Sequence, residues 1–532
     1  MDSLKTSVKY WEIVHHLVLK EDFRVIHMNI EEDIVWLEDD RKKPGLIIRL
    51  ANRTFDWSNE LRADSKRVFE ASKQIRKQIN LKQANVVSVV FSALAPVDSY
   101  EDVTSRALPF TAGGKNQFRT ILIPMEEIDH RLFPLATEWN LRDMPTFLPD
   151  TNLETEEDQY QLRQTLRQLV KRMFTESREK ERELFFHSKP RVTYALLGII
   201  IALFIYIESQ GSTMSTSTLV EFGAKFDPLI LEGEWWRFFS AMFLHIGMLH
   251  LFMNSLALFY LGSAVERIFG SSRFIIVYIL AGLFGSVSSF VFNDNVSAGA
   301  SGAIFGCFGA LLYFGIRHRR IFFRTMGSSV LVILAINLAF GFFVPMVDNA
   351  AHVGGLLGGF AASAIVGLPR QSKPTSQLIF TLGTFAALVA LLLFGFNQSV
   401  ESEQTMAIYY ELGRESIEDD RLTDAIGYLS EVTDGSDQLD GEIITGQILA
   451  NAYFLLSYAQ INVADYEDAE QNLLEAIELN PEFHEAYFNL SLLLIEQNRL
   501  EEALGRVEQA QEISTNESYE EVRRQIEDML QE

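Results

Sequence analysis

Seven apolar segments, at about residues 192–207, 238–260, 274–292, 302–316, 328–345, 350–367 and 377–395, occupy the middle of this 532-residue chain and leave it few ways to fold. Most approach the ~20 residues that cross a ~30 Å hydrocarbon core, so they are expected to be membrane helices. The fourth has fifteen residues. At 1.5 Å per residue it reaches roughly 22 Å, so one of its ends is expected to lie below the membrane surface.

Basic residues orient the bundle. Arg182, Lys189 and Arg191 precede the first segment, Arg267 and Arg273 separate the second and third, Arg317, Arg319, Arg320 and Arg324 the fourth and fifth, and Arg370 and Lys373 the sixth and seventh. The intervening connections 293–298 and 345–349 carry none. Lysine and arginine mark cytoplasmic loops, which predicts a cytoplasmic N-terminus and, after seven crossings, an extracytoplasmic C-terminus. The opening Met1-Asp2-Ser3-Leu4-Lys5 is not followed by an early apolar stretch, so the first span is expected to do the targeting. The single cysteine, Cys307, excludes an intramolecular disulfide.

The net charge of −25 belongs to the tail: 401–532 has 32 acidic residues against six arginines and no lysine, a net of −26. Such a segment repels nucleic acid and anionic lipid, which argues against a basic binding patch. The tail also repeats. Tyr453, Leu456, Ala469 and Ala476 recur 34 residues later as Tyr487, Leu490, Ala503 and Ala510, with Pro481 closing the first unit. A degenerate earlier unit contains Tyr409, Leu412, Gly413, Ala425 and Leu429, offset by an insertion around 434–441. The period and the small alanines match tetratricopeptide-like helix pairs, and three units are near the minimum for a stable stack; a plain helical-hairpin array is the alternative.

Residues 1–189 read as a soluble α+β domain. Strands are expected at 23–30, 33–38, 46–51, 86–93 and 119–124, an amphipathic helix at 57–80, and a charged helix at 156–186 leading into the membrane. His15, His16 and His27 with Glu31, Glu32 and Asp33 have the chemistry to hold a divalent cation. Scattered residues of this kind are more often solvated surface, so no metal or other cofactor is expected.

Within the apolar region, Gly299-Ala300-Ser301-Gly302 is followed about fifty residues later by Ala351-His352-Val353-Gly354-Gly355. Reactive polar groups at membrane depth are costly and point to a functional site. A serine hydroxyl becomes a useful nucleophile when an adjacent base accepts its proton, and His352 is the matching base for Ser301. Taken alone, Ser301 also fits a small residue easing helix contact. His250 and Asn254, four apart, share one helix face. Interhelical hydrogen bonding would explain them too, and a metal held by His245 and His250 lacks a carboxylate ligand. Gly302 and Gly306 repeat the spacing of Gly355 and Gly359, so two glycine-faced helices are expected to approach closely and bring His352 to Ser301.

In these motifs the chain resembles the rhomboid intramembrane serine proteases, and as a whole the Gram-positive members with a cytosolic N-terminal domain and a tetratricopeptide tail. The resemblance implies a polytopic α-helical membrane protein of six core helices plus one, flanked by an N-terminal α+β domain and an all-α repeat domain, divided at 1–189, 190–396 and 397–532. It implies a catalytic dyad of Ser301 and His352 without a carboxylate, and an oxyanion hole of His250, Asn254 and the Ser301 backbone N–H. Gly299, Gly302, Gly355 and Gly359 become scaffold. Trp236-Arg237 matches the Trp-Arg motif of the first external loop, where an interfacial anchor is expected. Glu266-Arg267 resembles a structural polar cluster, and Phe305 stands where many relatives have tyrosine. The expected activity is endoproteolysis of transmembrane proteins in a bacterial plasma membrane. The lipid bilayer and membrane-protein substrates are the implied partners, the tail and the N-terminal domain are candidate surfaces for others, and nucleic acid is not expected. An idle rhomboid-like scaffold that hands membrane helices to another protease is the alternative. Since neither soluble end contains the nucleophile, removal of the tail after about Gln398 is expected to preserve cleavage of a generic substrate while altering the choice of natural clients, and removal of the N-terminal domain to change regulation or partner recruitment.

Overall fold

The computed structural model describes residues 2–39, 41, 44–81, 83–111, 114–143, 155–344, 347–371, 374–397, 402–435 and 443–531. They form two compact units, one of 1–184 with 323–325 and one of 185–322 with 326–532.

The first unit is built on a six-stranded sheet of order β1-β2-β3-β4-β6-β5: β1 Arg24–Asn29, β2 Ile34–Asp39, β3 Gly45–Asn52, β4 Ala84–Ser92, β5 Leu108–Pro109 and β6 Gln117–Pro124. β3, β4 and β6 run parallel, and the helix Ser58–Gln78 makes the crossover between the first two. β4 is buried along nearly its whole length, as its mostly apolar sequence, interrupted at Asn85 and Ser88, requires of a strand covered on both faces. The expected strands and the two long helices are present. The helix Asp2–Leu19 was not anticipated, although Tyr10, Trp11, Val14 and Leu17 form a buried stripe at helical spacing. Of the groups considered for a cation, the Asp33 carboxylate is taken up by Ser7, Trp11, Asn52 and Arg167. Among the described residues no group of three or more His, Cys, Asp or Glu side chains is arranged to hold a metal ion.

In the second unit the apolar segments become helices, labelled span one Arg191–Gln210, span two Gly247–Phe269, span three Ser271–Phe292, span four Ser301–Arg317, span five Gly327–Phe343, span six Asn349–Val366 and span seven Pro374–Gly395; spans one, two, three, six and seven are each long and apolar enough to cross a membrane, and spans four and five, of 17 residues each, are shorter. In span four every residue from Gly302 to Leu311 is buried. Span seven is the opposite case, with Gly395 its one buried residue among those described. Span two differs from its expected 238–260. Its helix starts at Gly247, where the backbone takes a positive φ of 68°, and it continues through a π-helical turn at Leu258–Gly262. Apolar residues 238–244 belong instead to short helical turns of the connection from span one. Hydrophobicity marked these residues as buried without distinguishing a membrane-crossing helix from a packed loop.

The tail forms the helix pairs Glu403–Glu418 with Leu422–Asp434, Gly446–Asn462 with Tyr466–Leu479 and His484–Glu496 with Leu500–Ile513, then a last helix Glu517–Gln531. Ala425, Ala469, Ala476, Ala503 and Ala510 are fully buried where the helices meet, and residues 436–441 of the insertion lie outside the described residues. The stack does not stand apart from the membrane helices. Val220 and Phe226, from the connection between spans one and two, share a core with Met406, Tyr409, Leu412 and Leu429 of the first pair. The rings of Phe226 and Tyr409 meet edge to face at 5.5 Å. Glu415 accepts hydrogen bonds from the Ser215 hydroxyl at 2.8 Å and the Ser217 amide at 2.9 Å.

Candidate active site

Ser301 is the first residue of span four and is half-buried. Its backbone N–H belongs to the first turn, where amides have no partner inside the helix and point toward whatever lies beyond the end. Spans four and six lie against each other along their glycines. A Cβ on Gly355 would stand 2.0 Å from the Gly302 carbonyl oxygen, and one on Gly359 would stand 2.2 Å from that of Gly306. Only hydrogen fits at such contacts, so the two backbones touch.

That register brings the residues around His352 level with those around Ser301. The imidazole stacks on the ring of Phe305, with centroids 4.1 Å apart and planes 13° apart. Phe305 is one helical turn after Ser301, so the imidazole is held over the face of span four that also carries the serine. His352 is buried and its Nδ1 has no hydrogen-bond partner among the described residues. Asp348 begins span six by accepting from the Ala351 amide at 2.9 Å and from the Ser289 hydroxyl of span three, which fixes the helix end four residues before His352.

His250 and Asn254 approach the same place from span two. A Cβ on Gly299 would lie 2.8 Å from His250 Cε1, 3.1 Å from its Nε2 and 3.6 Å from Asn254 Nδ2, so both side chains crowd the backbone just before the serine. Asn254 is buried, and its Nδ2 has no acceptor among the described residues. A buried donor left unpaired is expensive unless a partner arrives during function. His250 and Asn254 therefore meet the backbone just before Ser301, and His352 meets the ring one turn after it, with Gly299, Gly302, Gly355 and Gly359 making the approach possible.

Trp236 is exposed, but Arg237 departs from expectation. Arg237 is not an interfacial anchor: it is 4% exposed, and its guanidinium donates to the carbonyls of Val220 and Ala224 and to Glu234. Five donors on one rigid fork let a single arginine close a loop on itself, which explains its burial. Trp236 packs against Gly223 on that loop. Glu266 accepts from the backbone of Val192 and Thr193 and from the hydroxyls of Thr193 and Ser271, joining the starts of spans one and three.

Two contributors carried little sequence signal. His245 is 1% exposed, and its Nε2 accepts the Ala300 amide at 3.5 Å, one residue before the serine. Lys225 is fully buried and bound to the connection between spans three and four. A histidine close to the His250 motif was visible but read as a weak metal candidate. A lone lysine in a loop has no sequence mark of burial.

The comparisons with known proteins agree with this architecture. The Rhomboid domain model matches residues 232–369, and Tetratricopeptide repeat models match 450–483 and 472–505. The chain is 35% identical over 497 residues to "Rhomboid protease GluP" of Bacillus subtilis, covering 92% of each protein. It is 40% identical over 162 residues to the Arabidopsis thaliana "RHOMBOID-like protein 6, mitochondrial", which spans 30% of this chain and 52% of the plant protein. With the Arabidopsis "RHOMBOID-like protein 5" the identity is 41% over 151 residues, 27% of this chain and 48% of that one.

Proposed function

Since this chain belongs to the rhomboid family and is a multi-pass rhomboid serine protease of the membrane, we propose that Ser301 is its nucleophile and His352 its general base. The Ser301 hydroxyl attacks the scissile carbonyl carbon while its proton passes to His352. The oxygen that becomes negative is met by the Asn254 amide, the His250 ring N–H and the Ser301 backbone N–H, donors that need little reorganisation as charge develops. His352 then gives its proton to the leaving amine and the C–N bond breaks, leaving an acyl ester on Ser301. Water, deprotonated by His352, releases the new carboxyl terminus and restores the serine.

The observation that carries this reading is the stack of His352 on Phe305, with the Gly302–Gly355 contact beside it. Phe305 supplies the ring surface without a hydroxyl. No carboxylate is assigned to the dyad; Asp348 acts on the backbone of span six.

We further assign the N-terminal domain, residues 1–189, to the cytoplasm and the tail, 397–532, to the outer face of a bacterial plasma membrane, with the membrane domain at 190–396. The support is the basic loops together with the contact of the tail on the span one–two connection, which requires both to lie on one side. Substrates are transmembrane helices with small or helix-breaking residues near their outer end, because a peptide bond must leave its helix before a serine can attack it. A fluorophosphonate probe tests the nucleophile: wild type should be labelled and Ser301→Ala should not. Labelling that survives Ser301→Ala removes the assignment.

A further inference from the structure

The connection from span three to span four, residues 293–300, delivers Ser301 and has no regular secondary structure of its own to hold it. It is fixed from outside. Gly299 donates its amide to the Ala241 carbonyl at 2.9 Å, and Ala300 donates to His245. Nearer span three the only side chain among the described contacts that gathers several points of this run is Lys225. Its ammonium, 0% exposed, donates to the carbonyls of Asn293 and Asn295 (3.2 Å to the second) and to Asp227 Oδ2 at 3.0 Å. Its backbone exchanges two hydrogen bonds with Ser297, Lys225 N to Ser297 O at 2.9 Å and Ser297 N to Lys225 O at 3.0 Å. Three ammonium hydrogens thus meet three acceptors, and two of those are main-chain oxygens of the segment that ends in the nucleophile.

We propose that Lys225 is a positioning residue for Ser301, which pins alternate residues 293, 295 and 297 so that the serine enters span four at a fixed place. The proposal rests on Ser301 being the nucleophile. A buried charge of this kind must be satisfied wherever the connector sits, so it tolerates one arrangement of the carbonyls and penalises the others. Misplacing a reacting group by about 1 Å costs on the order of 10²-fold in rate. Lys225 holds the connection before Ser301 and is none of the side chains assigned to meet the scissile bond, so its loss should fall on turnover and spare binding.

The test compares two variants of the full chain in detergent or bicelles against a transmembrane model substrate. Asp227→Asn keeps the ammonium and both carbonyl contacts but takes away its counter-charge, so this variant carries the stability cost of a broken buried pair and serves as the reference for the next. Lys225→Met with Asp227→Asn removes the ammonium without stranding a buried carboxylate. Relative to Asp227→Asn, the double variant should lose roughly 10- to 100-fold in kcat, with KM within about twofold, fluorophosphonate labelling slowed in parallel, and a thermal midpoint close to that of the single variant. Equal kcat in the two variants overturns the proposal, as does a kcat loss that only tracks the loss of folded protein. If the double variant does not fold, Ser297→Pro replaces it. That change deletes one main-chain hydrogen bond to Lys225 and leaves the charges paired, and a wild-type kcat there overturns the proposal as well. Ser301→Ala is assayed alongside: labelling that persists in it refutes the nucleophile, whereas an inactive Ser301→Ala beside a fully active double variant refutes only the role of Lys225.

Discussion

Two regions hold Ser301, and they do so by opposite means. Between spans four and six the contact is made of missing side chains: Gly302, Gly306, Gly355 and Gly359 let one backbone rest on another. On the loop side the contact is made of polar side chains buried against main-chain oxygens, Arg237 on Val220 and Ala224 and Lys225 on Asn293 and Asn295. The glycine seam is unforgiving of added volume and indifferent to charge. The loop clasp depends on each donor finding its acceptor. Lipid explains the division. Between lipid-embedded helices close backbone packing replaces the hydrophobic effect as the source of association, whereas an irregular loop has amides and carbonyls that secondary structure does not satisfy and that side chains must.

The largest effect should come from the group that both regions serve. Ser301→Ala and His352→Ala should each lower cleavage of a transmembrane substrate by at least ~10⁴-fold, and the double variant should be no worse, because members of one catalytic unit are not additive. An additive double variant would separate the two residues into independent roles. Ser301→Ala should keep the wild-type thermal midpoint, since its side chain makes neither the seam nor the clasp, whereas His352→Ala removes a buried ring from the face of Phe305 and should lower the midpoint as well.

Next in size is the seam itself. Gly355→Ala forces a methyl to within 2.0 Å of a backbone oxygen, so span six must move away from span four. Overpacking of this kind costs about 1–3 kcal/mol, and the His352 ring should shift from Phe305 with it, so both thermal midpoint and kcat should fall. Gly383→Ala on span seven is the control: nothing lies within 4 Å of the added methyl, and stability and activity should be unchanged or slightly improved. If the two alanines behave alike, the close approach of spans four and six is not what the seam provides.

Asn254→Ala should cost on the order of 10² in kcat, about 3 kcal/mol, as loss of one oxyanion donor does elsewhere. Because Asn254 Nδ2 already lacks an acceptor in the structure, removing it strands no partner, and the fold should survive. A drop in thermal midpoint with kcat preserved would move Asn254 from the oxyanion hole to packing.

What the sequence made legible follows the same division. The seam and the four polar residues were readable because they recur at fixed helical spacing: Gly302 with Gly306, Gly355 with Gly359, and His250 with Asn254. The sheet of the N-terminal unit was readable from its apolar strands. The clasp was not, since Lys225 meets Asn293 and Asn295 across some seventy residues through carbonyl groups that every residue type possesses. Arg237 was noticed but misjudged for the same reason: its acceptors are backbone atoms of a loop whose path periodicity does not encode. The start of span two was misplaced because 238–244 is apolar whether it crosses the membrane or packs within a loop.

The smallest effect expected concerns the tail, which the sequence alone suggested was dispensable for cleavage of a generic substrate. Removal of 402–532 would uncover Val220 and Phe226, so the loop that carries the clasp should loosen. A milder probe of that coupling is Glu415→Ala, which takes away the acceptor for Ser215 and Ser217 but leaves the shared apolar core. Burial works to raise the Glu415 carboxyl, yet the Ser217 and Ser215 hydrogen bonds hold it below its ordinary value of 4.5. A carboxyl depressed by folding contributes stability above its unfolded value and loses it as pH falls through the folded one. Hydrogen exchange at the Ser217 amide should therefore be slow at pH 7, faster by on the order of 10-fold in Glu415→Ala, and should show an added acceleration below about pH 4.5 in the wild type but not in the variant, once the intrinsic pH dependence is divided out. The accompanying change in kcat should stay under about threefold, because the clasp at Lys225 is intact. Wild type and variant exchanging alike across this range would mean that the tail rests on the loop without steadying it.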